Sequence, residues 1–219
     1  MELETEELKY EFTGEESTYN GNTIRRIRAI RDFGNIKAGD LGGWLEKEEN
    51  LSHRGNCWVA DNATIRGDAR ILDDAVVSGN ATVYGRAIIR DGACVYEDAS
   101  IYGLAKVFEN AKVHGFSSFG ERTLIGSGGD IDGHRDYMSV SGLGQTWSTH
   151  ITFYRNQDGG ISVATDDSPN DTYSGTISEF RKKIKTIYYG QYSYEGTKYE
   201  KAYNTAADLA KIQLSEDAK

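Results

Sequence analysis

Ala81-Thr82-Val83-Tyr84-Gly85-Arg86-Ala87-Ile88-Ile89-Arg90-Asp91-Gly92-Ala93-Cys94-Val95 sets the frame for the whole chain. A small residue returns every six positions, and an aliphatic one follows it two places later. The pattern runs back through Ala75/Val77, Ala69/Ile71, Ala63/Ile65 and Cys57/Val59. It runs forward through Ala99/Ile101, Ala105/Val107, Ala111/Val113, Ser117/Phe119 and Thr123/Ile125, after which it is expected to stop. An amphipathic helix needs apolar residues about every 3.6 positions, which this series does not supply. Small-x-aliphatic is in-out-in on a short strand. The residues between the pairs, such as Asp61-Asn62, Gly67-Asp68, Gly79-Asn80 and Asp91-Gly92, suit corners, because Gly, Asn and Asp tolerate the left-handed backbone region.

The columns resemble those of hexapeptide-repeat proteins. That resemblance implies a mainly β chain built on a left-handed parallel β-helix, with three six-residue repeats, each a short strand and a corner, making one coil. Residues 18 apart then lie about 4.8 Å from one another. About four regular coils are expected over 51–126. Residues 1–50 read as an N-terminal β cap and lead-in, 127–140 as a hinge, and 141–219 as a small C-terminal α+β domain. In that domain Tyr137–Ser141, His150–Arg155 and Ile161–Thr165 read as strands. Thr176 and Glu179 match a capping box opening a helix with Ile177, Phe180, Ile184 and Ile187 on one face. A second helix is expected over about 199–214, carrying Tyr203, Ala206, Leu209 and Ala210. The run Arg31-Asp32-Phe33-Gly34-Asn35-Ile36-Lys37-Ala38-Gly39-Asp40-Leu41-Gly42-Gly43-Trp44, with Glu48 to Ser52, resembles the lead-in of short hexapeptide-repeat proteins from bacteriophage and prophage genomes.

Composition narrows the function. The 219 residues carry 25 Lys+Arg against 34 Asp+Glu, a net charge of −9, which argues against a bulk nucleic-acid surface. Mean hydropathy is −0.59, and no apolar run approaches the roughly 18 residues of a membrane span. The acidic start, Met1 to Glu7, lacks the basic and apolar regions of a secretory signal. With two cysteines the chain reads as a protein of a reducing, cytoplasmic compartment.

Stacking the hexads places apolar residues on outward columns, where they need a cover. Trp58, Val76 and Cys94 form one column, and Leu72, Ile88 and Phe108 are outward on another face. These six are the expected oligomer interface, and the family resemblance implies a homotrimer.

The corner after the second face departs from the turn residues used elsewhere, reading Asp68, Arg86, Leu104 and Arg122. Beside it lie Arg66, Tyr84 and Tyr102. Arginine forks next to aromatic rings suit an anionic ligand such as a nucleotide, and equally a trimer seam or the docking surface of the C-terminal block. Arg66, Tyr84, Arg86, Tyr102 and Arg122 are therefore the candidate binding residues.

Catalytic signals are few. Of the four histidines, only His114 lies outward within the regular coils, the place of a general base in a hexapeptide-repeat acyltransferase. No histidine spacing suits a zinc site, and no motif calls for a cofactor. The expectation is a non-enzymatic phage or prophage accessory protein. It would neutralise a host factor inside the bacterial cell, by binding a protein or by sequestering a small anion. The alternatives are an acyltransferase using acetyl-CoA, with His114 as its base, and a self-assembling structural β-helix.

Overall fold

The computed structural model describes residues 7–19, 21–143, 150–168, 171–188 and 194–215; most of the acidic N-terminal start lies outside them. The middle of the chain is a parallel β-solenoid of about five turns, followed by a small C-terminal α/β part. Two-residue strands recur as expected, and each pairs in parallel with the strand 18 residues on: Val76-Val77 with Cys94-Val95, Thr82-Val83 with Ser100-Ile101, and Ile88-Ile89 with Lys106-Val107. The inward columns are fully buried, from Ala63 and Ile65 to Ala111 and Val113. Each enclosed Val or Ile contributes about 1.5–3 kcal/mol of burial free energy.

The corners hold by a second device. Asp61, Asp73, Asp91, Glu97, Glu109 and Glu121 all adopt positive φ, between 52° and 59°. Several of their carboxylates accept the N–H of the residue one turn further on: Asp61 from Gly79 (3.0 Å), Asp73 from Asp91 (3.2 Å), Asp91 from Glu109 (3.1 Å) and Glu97 from Gly115 (2.8 Å). Acidic side chains thus satisfy corner donors that the strand ladders leave over.

The solenoid runs one strand further than expected. Asp130-Ile131 pairs in parallel with Lys112-Val113, and Ile131 is fully buried. Gly129 occupies the small position and Ile131 the aliphatic one. A Cβ at 129 would lie 2.6 Å from Ile125 and 2.9 Å from Tyr154. The stretch read as a hinge therefore contributes to the core.

At the other end, β1 (Tyr10–Tyr19) and β2 (Asn22–Ala29) form an antiparallel hairpin. β2 pairs with β3 (Leu41–Leu45), and β3 joins the solenoid in parallel with Thr64-Ile65. This sheet is seven strands wide. Gly42 permits the junction, since a Cβ there would lie 2.6 Å from both Ile27 and Trp58.

The C-terminal part is a four-stranded antiparallel sheet, one strand more than the three expected: the strand Asp171–Thr176 joins Tyr137–Ser141, His150–Arg155 and Ile161–Ser168. Strand alternation gives it two buried faces. Tyr154 and Ala164 belong to the solenoid core, whereas Ile151, Phe153 and Val163 pack with helices α1 (Ile177–Tyr188) and α2 (Tyr194–Gln213). The capping box opens α1 as read: Glu179 N–H donates to Thr176 Oγ1 (3.2 Å), and Thr176 N–H to Glu179 Oε2 (2.8 Å). Two residues assigned to apolar helix faces are instead exposed, Ile187 at 48% and Leu209 at 52%.

Candidate functional site

Three of the candidate binding residues follow the aliphatic position of one face, a turn apart. Arg66, Tyr84, Tyr102 and Gly120 make this column, which the fold draws into a continuous stack. The Arg66 guanidinium lies 5.0 Å from the Tyr84 ring centroid. Tyr84 and Tyr102 stack at 5.4 Å with 15° between planes. Tyr102 then lies across Gly120. The other side of the Arg66 guanidinium meets Tyr19, from the end of β1, at 4.2 Å.

The stack has a chemical consequence. Arg66 and Tyr102 flank Tyr84, while Tyr84 and the Gly120 backbone flank Tyr102. No base can slide between these rings, so this stack offers charge rather than an open aromatic slot. Tyr19, the terminal ring of the column, remains 42% exposed.

Arg66 is 9% exposed, and its Nε–H is buried without a hydrogen-bond partner among the described residues. The Nε–H groups of Arg25 and Arg26 share that condition. Arg26 lies 5.4 Å from the Trp44 ring and Arg25 lies 4.7 Å from Phe12. The Arg25-Arg26-Ile27-Arg28 run reads in sequence as the source of inter-subunit salt bridges or as a solvated strand. Only Arg28 behaves so, pairing with Glu11 in the open.

Of the corner residues, Arg86 and Leu104 are exposed and Arg122 is half-buried. Asp68 is engaged by Lys47 at 2.6 Å, which holds its carboxyl below the usual carboxylate range; the more distant Arg86 adds to this. Burial lowers the affinity of His150 for a proton, and the positive charge of Arg122 lowers it further. Tyr19 was not legible as a neighbour of the site. Its placement depends on the hairpin docking beside the first turns, and no local motif encodes that.

The expected oligomer surface divides. Trp58 is only 3% exposed and packs edge-on against Phe33 at 5.5 Å. Phe108 is 1% exposed, under the Arg90 guanidinium at 5.1 Å. Both are thus covered within a single chain. The reason at Phe108 is the C-terminal sheet, which reaches back along that face: Arg90 donates to Thr172 (2.8 Å), Lys106 pairs with Asp166 (3.2 Å), and Ser174 donates to Glu109 (2.9 Å). Leu72, Val76, Ile88 and Cys94 are partly exposed.

His114 is half-buried and stacks on Tyr96 at 4.9 Å. Its Nε2 lies 2.9 Å from Asp130, and its Nδ1 lies 3.6 Å from Asp132 and 3.9 Å from Glu97. This is a histidine oriented by carboxylates, the arrangement that fixes a tautomer. No group of residues suited to holding a metal ion occurs among the described residues. No described helix is long and apolar enough to cross a membrane.

No family model matches the chain. It is similar to a protein of Escherichia coli (strain K12) named "Uncharacterized acetyltransferase YdcK", with 43% identity over 47 residues. That stretch covers 22% of this chain and 14% of the relative, so the likeness concerns a segment of each. The chain is thus a parallel β-solenoid on a six-residue period, related over one segment to a protein named for acetyl transfer.

Proposed function

We propose that the chain is a non-enzymatic binding scaffold that holds a small anionic molecule at the corner formed by Arg66, Arg86, Tyr102 and Arg122. One observation carries this reading. In a chain of net charge −9, Arg66 is buried without a carboxylate partner among the described residues. Its guanidinium lies instead against the rings of Tyr19 and Tyr84. A guanidinium with an unmet buried N–H gains from an arriving anion what a salt bridge gives elsewhere. Arg86 supplies an exposed second charge one turn along.

The phage-like lead-in over 31–52 supports a setting inside an infected bacterial cell, where sequestering such a molecule would neutralise a host factor. The partly exposed apolar residues Val76 and Cys94 support association into a homotrimer. Native mass spectrometry of protein purified gently from lysate reads both points: the oligomer mass and any stoichiometric adduct. Titration with inorganic phosphate and with adenosine monophosphate tests the site directly. Binding is expected to vanish in an Arg86→Ala, Tyr102→Ala variant that keeps its circular dichroism spectrum. Retained binding in that variant removes the assignment.

A second reading rests on His114 beside Asp130, together with the segment similar to a protein named an acetyltransferase. There His114 would accept a proton from an acceptor substrate while acetyl-CoA lies alongside. It predicts saturable acetyl-CoA binding and a loss of turnover in His114→Asn. Absence of acetyl-CoA binding disposes of it.

A further inference from the structure

Lys9 is a fully buried lysine with no carboxylate in contact among the described residues. Its Nζ lies 2.9 Å from the Cys57 carbonyl oxygen, 3.3 Å from that of Gly55 and 3.4 Å from that of Arg54. It also lies 3.3 Å from Cys57 Sγ. The residue next to Lys9 is tied down independently. Tyr10 stacks on His53 at 4.4 Å, and its hydroxyl lies 2.8 Å from the Glu48 carbonyl oxygen and 3.1 Å from that of Leu51. Amine and thiol are thus held together from two segments 48 residues apart.

The electrostatics favour an uncharged pair. Burial pushes the Lys9 amine below its ordinary value and the Cys57 thiol above its own. A neutral amine carries a lone pair, and the nearest heteroatom outside the peptide carbonyls is sulfur. The Nζ–Sγ gap exceeds a covalent N–S bond but leaves room for one bridging atom. Cys94 provides the contrast: its thiol is partly exposed and donates to the Gly92 carbonyl, at 3.8 Å.

We propose that Lys9 and Cys57 are a modification site at which dioxygen joins the two side chains through a single oxygen, as Nζ–O–Sγ. The amine gives up one N–H hydrogen and the thiol its S–H hydrogen. Those two hydrogens leave with one oxygen atom as water, and the second oxygen atom becomes the bridge. Nitrogen and sulfur each lose two electrons, and the four reduce dioxygen. Two equivalents of a dithiol return the amine and thiol and release the bridging oxygen as water. The bridge closes a loop between the segment leading into β1 and the first turn of the solenoid, restricting the unfolded chain. It acts as a reversible staple on the N-terminal hairpin.

The test uses the full chain, purified under reducing, oxygen-free conditions and then transferred to air-saturated buffer. Intact mass is expected to rise by one oxygen less two hydrogens. Peptide mapping is expected to find the Lys9 and Cys57 peptides joined. Alkylation after denaturation is expected to label Cys94 but not Cys57, and dithiothreitol is expected to restore labelling at Cys57. The bridged form should unfold several degrees above the reduced one. Lys9→Met and Cys57→Ser are each expected to lose the mass change. Should either fail to fold, the wild-type map still decides. Cys57 fully alkylated after exposure to air overturns the proposal, as does Cys57 oxidised without linkage to Lys9.

Discussion

Tyr102 lies flat across the backbone of Gly120, one turn along the solenoid: a Cβ built at position 120 would sit 2.1 Å from its ring. Gly120 is the platform on which the tyrosine stack ends. Gly120→Ala is therefore expected to drive the ring outward and to cost about 1–3 kcal/mol, the usual penalty of overpacking. The double variant Gly120→Ala, Tyr102→Ala should lose less than the sum of the single losses, because the clash disappears with the ring. Chemical denaturation of the four proteins measures this coupling; strict additivity would contradict the contact.

Arg66 is held by two aromatic faces rather than by a carboxylate. Lysine retains the charge but has no plane to insert between Tyr19 and Tyr84. Arg66→Lys is expected to destabilise the chain by about 0.5–2 kcal/mol, the range of a partly desolvated cation–π contact. The near-ultraviolet tyrosine signal should change with it. A midpoint equal to wild type would show the sandwich to be energetically idle.

Asp73 combines a left-handed backbone, with φ at 57°, and a carboxylate accepting from the N–H of Asp91. Two substitutions separate the contributions. Asp73→Gly keeps the conformation and loses the bond, costing about 0.5–1.5 kcal/mol. Asp73→Val loses the bond and adds a β-branched side chain where φ is positive, so it should cost clearly more. Equal denaturation midpoints for the two would refute the conformational part.

His150 titrates below its ordinary value of 6.5, through burial first and the Arg122 charge second. The unfolded chain then binds the proton more readily than the folded one. The contribution of His150 to stability is full above 6.5 and is lost as the pH falls through the lowered folded value. The thermal midpoint is expected to drop between neutral and mildly acidic buffer. His150→Gln should flatten that part of the profile, and an unchanged slope would dissociate His150 from it.

The repeat was legible because its signal is local: a small residue and an aliphatic one at fixed spacing need only the strand period to be interpreted. Even its extension was written there, since Gly129 and Ile131 continue both columns beyond the apparent stop at Ile125. The strand Asp171–Thr176 was missed for the opposite reason. It has no aliphatic residue, and it is a strand because Ile161–Ser168 offers it an edge. Tyr19 against Arg66 and Lys9 against Cys57 are farther from reach. Both follow from where the N-terminal segment docks, and no residue near Lys9 in sequence marks it for burial. Leu209 erred in the other direction: its apolar character suggested a core position, whereas neighbouring Ala206, Ala207 and Ala210 take the packed side of α2.

The C-terminal sheet fastens to three successive turns along one side, through Arg90 on the first, Lys106 and Glu109 on the second and Leu124 on the third. A solenoid without such a fastening is a stack of rungs, each answering only to its neighbours, and it can fray from an end one rung at a time. Here a rung cannot leave the C-terminal end without breaking contacts to two others. The clasp makes the stack mechanically indivisible over that stretch, so melting should proceed there as one cooperative step while fraying is confined to the opposite end.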